Sequence, residues 1–391
     1  MDRQPANYFG AGPAMLPTDV LQQAARDLIN FQGVGLGIGE ISHRSKEAGA
    51  VIESTKAHVR ELMGVPDTHE VFFLQGGGTT GFSSIAANMA AAHVARTGQA
   101  GTAAYLVTGS WSAKAEEEAA RLGLATERLV DVKRARGKYG SIPATVEWIG
   151  SLSRDKHSYV YLCENETVHG VEWPEVPEEL VACGVPVVAD LSSDILSRQI
   201  DVGRYDLIMA GAQKNIGLAG LTMYIIRKRL LEDISSVSDE KLAAAGVPLA
   251  PIATHYPTAV ANNSAYNTIP MFTLHIMDLV FQRLLERGGL PVQQKENAEK
   301  ARTLYNALDK YPDFYCLPVE KDVRSLMNVV FTLKKEGLDD KFLEQAKVRG
   351  LSGLKGHRSV GGFRASLYNA VDVSSVRKLA KFVEEFAQEN S

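Results

Sequence analysis

Cysteine is scarce in this chain. The three residues, Cys163, Cys183 and Cys316, lie far apart and form no CxxC pair. That spacing argues against a disulfide framework or a cysteine-built metal site and points to a reducing, cytoplasmic setting. An excess of one charge is also missing: 46 acidic residues face 42 basic ones, and the net charge is −4. No strong field therefore favours nucleic acid or an anionic membrane as a partner. No apolar run approaches the roughly 20 residues that span a bilayer. The opening "MDRQPANYFGAGPAML" lacks the apolar centre of a signal peptide, so the Asn-x-Ser/Thr matches at Asn165 and Asn262 read as chance. Repeats, low-complexity tracts and heptads are not found either.

What is present is an ordinary globular composition on 391 residues, too long for one compact core. "EVFFLQ" (70–75), "AAYLVTG" (103–109), "SYVYLC" (158–163), "VPVVADL" (185–191), "YDLIMAG" (205–211) and "LTMYIIR" (221–227) read as strands. "FSSIAANMAAAHVA" and "SWSAKAEEEAARLG" have helical periodicity and follow the first two. Runs apolar on both faces fit buried strands of a mostly parallel sheet covered by helices. The last two strands, joined by a short polar link, are expected to be antiparallel at one side. Beyond residue 290 the texture changes to helix (294–310), strand (325–334), helix (338–350), strand (361–370) and a closing helix (373–390). The expected class is α/β, with a large domain over 18–290 and a smaller α+β domain built from 1–17 and 291–391.

Several positions are chemically suggestive. Gly76, Gly78 and Gly81 in "LQGGGTTGF" place a glycine-rich turn between a strand and a helix, where backbone N–H groups can meet a phosphate. A nicotinamide site would need an acidic residue about 20 positions on. No Asp or Glu occurs between Glu70 and Glu116, which leaves a simpler phosphate monoester or a plain glycine-rich connection. Trp111 follows a strand end and can stack on a planar ring or cap the core. Asp190 ends an apolar strand, where a carboxylate, expected half-buried, needs a positive partner or serves as a helix cap. Lys214 sits among glycine and alanine in "AGAQKNIGLAG". Desolvation there favours a nucleophilic amine able to form a Schiff base, against the commoner solvated lysine. His43 and Arg44 in "ISHRSKE", and Lys355, His357, Arg358 and Arg364 in "LKGHRSVGGFRAS", are cations suited to carboxylate or phosphate, or else surface charges. Together they match the needs of pyridoxal phosphate: phosphate cradle, stacking ring, pyridinium partner and amine.

With these blocks, and with "GPAMLP", "NET", "ADLSSDILSR", "YNTIP" and "RSLMNVVF", the chain resembles, nearly end to end, the phosphoserine aminotransferase family in class V of the fold-type I pyridoxal-phosphate enzymes. The resemblance implies that Lys214 forms the Schiff base and Asp190 contacts the pyridine nitrogen. It implies that Trp111 stacks on the ring, Thr167 bonds the phenolic oxygen, and Gly78, Thr79 and Gln213 hold the cofactor phosphate. Asn267 and Thr268 would reach that phosphate from the other subunit of a homodimer. Arg364 would hold the substrate carboxylate. His43 and Arg44, donated across the interface, would surround the substrate phosphate with His357 and Arg358. The implied reaction runs ping-pong through pyridoxamine phosphate. L-glutamate and 3-phosphohydroxypyruvate give 2-oxoglutarate and O-phospho-L-serine, in serine biosynthesis, with 4-phosphohydroxythreonine as a further candidate substrate. The chain departs from the family at Thr79, where many members carry Arg, and at Ser45, where Gly is usual. Residues 133–150 align poorly and read as a variable surface excursion. A cysteine desulfurase of the same class would need a mobile nucleophilic cysteine, whereas Cys316, in "FYCLP", reads as a buried apolar position.

Overall fold

The computed structural model describes residues 6–390; residues 1–5 and 391, assigned above to the smaller domain, lie outside the described residues. Seven strands form the main sheet: β1 (His69–Gly76), β2 (Thr102–Val107), β3 (Thr126–Asp131), β4 (His157–Cys163), β5 (Val187–Asp190), β6 (Leu207–Gly211) and β7 (Gly220–Arg227). Their order is β1-β7-β6-β5-β4-β2-β3. Strand β7 runs antiparallel to both neighbours, and the remaining pairs are parallel. The antiparallel pairing is as expected, but β7 lies inside the sheet with β1 outside it.

The strands read as continuous apolar runs because both faces are covered. Phe73, Leu106, Leu162, Ala189 and Met223 point into one apolar cluster, and Phe72, Tyr105, Tyr161, Val188 and Tyr224 into the other. This is the period-two alternation of a strand with no wet side. The covering helices include α1 (Thr18–Asp27), α2 (Lys46–Met63), α3 (Gly78–Thr97), α4 (Ser110–Arg121) and α6 (Met271–Glu286); a short helix α5 (Val132–Arg136) follows β3. Ser45 caps α2 by accepting from the amide of Ala48 at 3.2 Å, so the departure at this position supplies a helix start.

A separate apolar cluster gathers Phe331, Phe342, Phe363, Phe382 and Phe386. It belongs to α7 (Gly289–Asp309), β8 (Tyr315–Cys316), β9 (Asn328–Leu333), α8 (Asp339–Val348), β10 (Phe363–Ser366) and α9 (Val373–Asn390), with β8, β9 and β10 in one antiparallel sheet. Phe9 joins this cluster. The N-terminal segment threads along it: Phe9 donates to Ser352 O at 2.9 Å, Ser366 donates to Phe9 O at 2.9 Å, and the Tyr368 hydroxyl donates to Ala11 O at 2.9 Å.

Two expectations need correction. Cys316 is exposed, not buried; on β8 it alternates with Tyr315, and Tyr315 takes the inward position. Residues 133–150 are also not a free surface excursion. Trp148 is buried edge-on against Trp173, with ring centroids 6.4 Å apart, and Glu320 donates its amide to Gly140 O at 2.8 Å.

Candidate active site

In an open sheet of parallel strands, ligands meet the carboxyl ends. Here β2, β4, β5 and β6 deliver Trp111, Thr167, Asp190 and Lys214 to that one edge. Asp190 is the last residue of β5 and is 5% exposed, more deeply buried than expected. Its Oδ1 accepts from the Ser192 amide at 2.8 Å and the Ser192 hydroxyl at 2.5 Å. Burial raises its pKa, while the Ser192 hydroxyl and the charge of Lys214 pull it back down. Among the described residues it forms no salt bridge, so this buried carboxylate has room for a cationic partner.

Lys214 lies in the turn between β6 and β7 and is half-buried. Its Nζ donates to Thr167 Oγ1 at 2.8 Å and stands 5.8 Å from the Trp111 ring centroid. The turn is held by Ala14, which donates its amide to Gln213 O at 2.8 Å, and by Asn215, whose Nδ2 donates to Ile195 O at 3.0 Å. Trp111 is half-buried in the first turn of α4, and its Nε1 is buried without a hydrogen-bond partner. Arg364, on β10, reaches across from the smaller sheet and donates to Thr167 O at 3.1 Å. His357 is half-buried and Arg358 exposed on the loop before β10. Burial, then the charges of Arg364, Lys114 and Arg358, lower the His357 pKa.

The glycine turn lies beside this group. Gly76 has φ +135°, and a Cβ there would come within 2.7 Å of Thr80, so the turn demands glycine. Gly78 and Thr79 open α3, whose Gly77 cap has no side chain to occupy the first amides. Asn267 and Thr268 are exposed, and Thr268 O accepts from Gln75 Nε2 in the same chain. His43 and Arg44 stand on the turn into α2. Within the described chain neither forms a hydrogen bond or ion pair with the Lys214 group.

The sequence reading missed Glu166. It is fully buried, and its carboxylate lies over the start of α4. It accepts from the Trp111 amide at 2.9 Å, the Ser112 amide at 2.8 Å and the Ser112 hydroxyl at 2.5 Å. A Cβ on Gly109 would come within 2.3 Å of its Cδ, so the glycine makes way for the carboxylate. Burial pushes the Glu166 pKa up to about 7 against these hydrogen bonds. The signal was present in "NET", but the partner lies 55 residues away.

The residues present fit pyridoxal phosphate: a buried carboxylate without a salt-bridge partner, an amine and an indole near it, and uncapped helix amides beside a glycine turn. A family model described as "Aminotransferase class-V" matches residues 6–379. A phosphoserine aminotransferase of Saccharomyces cerevisiae is 62% identical over 393 residues, covering 100% of both chains. Among solved structures, phosphoserine aminotransferase from Bacillus circulans subsp. alkalophilus superimposes with TM-score 0.88 at 37% identity over 99% of each chain. A PLP-bound phosphoserine aminotransferase from Trichomonas vaginalis gives TM-score 0.85 at 33% identity, over 97% of this chain and 100% of that one.

Proposed function

Since the chain belongs to the phosphoserine aminotransferase family of the class-V aminotransferases, we propose that it transfers the amino group of L-glutamate to 3-phosphohydroxypyruvate, giving O-phospho-L-serine and 2-oxoglutarate. It is a pyridoxal-phosphate-dependent transaminase of serine biosynthesis. The observation that carries the reading is the meeting of Lys214 with Thr167 and Trp111 at the strand edge where Asp190 is buried without a salt-bridge partner.

When bound, pyridoxal phosphate supplies a cationic ring that takes up the charge left at the substrate carbon after proton loss. Asp190, at the ring nitrogen, holds that positive charge in place. Lys214 Nζ anchors the cofactor and then carries the proton at the substrate Cα, as base and afterwards as acid. Thr167 Oγ1 orients the amine, and Trp111 backs the ring. Gly78, Thr79 and Gln213 hold the phosphate. Arg364 binds the substrate α-carboxylate, with its own position set by Thr167 O. Donor and acceptor use this site in turn, so ping-pong kinetics follow. The same arrangement suits 4-phosphohydroxythreonine.

We infer a homodimer that completes the site, with Asn267 and Thr268 reaching the neighbour's cofactor phosphate, and His43 and Arg44 joining its His357 and Arg358 around the substrate phosphate. Three features support this. These four residues are not engaged with the Lys214 group of their own chain. Arg44 has no carboxylate partner among the described residues. The loop before it exposes Leu28, Ile29, Val34 and Leu36, with Ile29 at 78%, an apolar patch of the kind that marks an interface. The division at about residues 17 and 290 is supported by the separate phenylalanine cluster. The three free cysteines fit a cytoplasmic setting, and no helix among the described residues is long and apolar enough to cross a membrane. The test compares 3-phosphohydroxypyruvate with unphosphorylated hydroxypyruvate as amino acceptor. The reading expects a large advantage for the phosphorylated acid, and equal use of both would overturn it.

A further inference from the structure

A cavity of about 380 Å³ lies between the two sheets, on the far side of the wall made by residues 110–111 and 167–169. Its polar lining includes Ser110, Lys133, Lys138, His169, Thr332 and Ser359. It adjoins the site at three points. Ser110 precedes Trp111, Val168 follows Thr167, and Ser359 Oγ is hydrogen-bonded to His357 Nδ1 at 2.7 Å. The wall is ordered: Ser110 Oγ and His169 Nε2 are hydrogen-bonded at 2.8 Å, and the Tyr139 ring packs on the imidazole with centroids 4.4 Å apart.

No carboxylate lines this cavity. The nearby ones are engaged elsewhere, Asp131 with Arg128 at 3.0 Å and Glu320 with Arg136 at 3.2 Å. Lys133 and Lys138 are left without an acidic partner among the described residues. Lys133 is held in place all the same. Its neighbour Val132 is buried in the main core, and Asp131 caps the short helix α5 that carries it. Burial, with the charges of His357, Lys133 and Arg364, brings the His169 imidazole down to about 4. At neutral pH it is an uncharged hydrogen-bonding wall beside unpaired cations.

We propose that this cavity is a subsite for the phosphate monoester dianion of the substrate, and that Lys133 is a specificity-determining cation for it. The proposal rests on the reading above and gives residues 132–139 a task in it. A dianion entering from the Trp111 side meets the hydroxyls of Ser110 and Ser359, with the Lys133 ammonium as counter-charge. The experiment measures kcat/KM for 3-phosphohydroxypyruvate and for hydroxypyruvate, and the inhibition constant of inorganic phosphate, in the wild type, Lys133→Ala and Lys133→Glu. Loss of one half-solvated charge pair corresponds to about a twofold to fivefold fall in the phosphorylated-to-unphosphorylated ratio for Lys133→Ala, and charge reversal is expected to lower it further. Phosphate inhibition should weaken in step, while hydroxypyruvate kinetics stay unchanged. A ratio and an inhibition constant equal to the wild type's in both variants would overturn the proposal. A wild type indifferent to the acceptor's phosphate, with phosphate inhibition still dependent on Lys133, would leave the anion subsite standing and overturn its role in acceptor choice along with the reading above.

Discussion

Replacing Glu166 tests how the stacking ring is held. In the ionised form its two oxygens accept from Trp111 N, Ser112 N and Ser112 Oγ. Glu166→Gln keeps the volume but turns one oxygen into a donor, so an N–H at the start of α4 is left facing another N–H. A buried donor without an acceptor costs about 1–3 kcal/mol. If that cost falls on the orientation of Trp111, cofactor affinity drops about fivefold to a hundredfold. Glu166→Ala, which removes every acceptor, should lose more. The assay titrates pyridoxal phosphate into the apoenzyme and follows indole fluorescence and visible absorbance. The pH dependence has a definite sign. With the pKa raised from 4.5 to about 7, the folded chain binds this proton more tightly than the unfolded chain. The residue's contribution to global stability is therefore fullest below about 4.5 and is lost as pH rises through about 7. Its grip on α4 moves the other way, because protonation removes an acceptor. Wild-type cofactor affinity should thus decline as pH falls through about 7, and Glu166→Gln should lack that decline. Wild-type affinity and an unchanged spectrum in Glu166→Gln would refute the reasoning.

Three further outcomes are expected. Lys214→Ala should abolish the visible absorption that signals the covalently held cofactor and leave no transamination; retention of both would remove Lys214 from its assigned place. Asp190→Asn, nearly isosteric, should fold normally yet lower kcat by at least about a hundredfold, because an amide cannot balance a ring cation; near-normal turnover would count against the ring contact. Lys300 is 1% exposed and donates to Leu367 O at 2.8 Å and Tyr368 O at 2.9 Å. Burial lowers its pKa to about 7. The unfolded chain then holds more protons between about 7 and 10.5, so resistance to urea should rise with pH across that window, and Lys300→Met should flatten the rise.

The sequence disclosed the elements whose burial is two-sided. Strands such as "SYVYLC" and "VVAD" are continuously apolar because helices cover both faces, and that pattern survives without coordinates. Strand β3 went unread because it is an edge: in "TERLVD" only Val130 is buried, and the charged positions face water. Asp190, Trp111 and Lys214 could be found because each punctuates an apolar run. Glu166 and His169 could not, since their importance comes from contacts 55 and 59 residues away. The exposure of Cys316 turned on a two-residue strand whose inward position went to the larger neighbour, Tyr315. The region from 133 to 150 looked dispensable because its composition is polar, yet one buried indole and one backbone bond fasten it.

The threading of residues 9–14 carries a consequence for how the enzyme is made. Ala14 braces the lysine turn, but its own strip is tied down by Ser352, Ser366 and Tyr368. The earliest part of the chain to leave the ribosome must therefore wait for almost the last before it can settle. The nascent large sheet can form ahead of that moment, but the catalytic amine is braced only when both ends of the polypeptide have met.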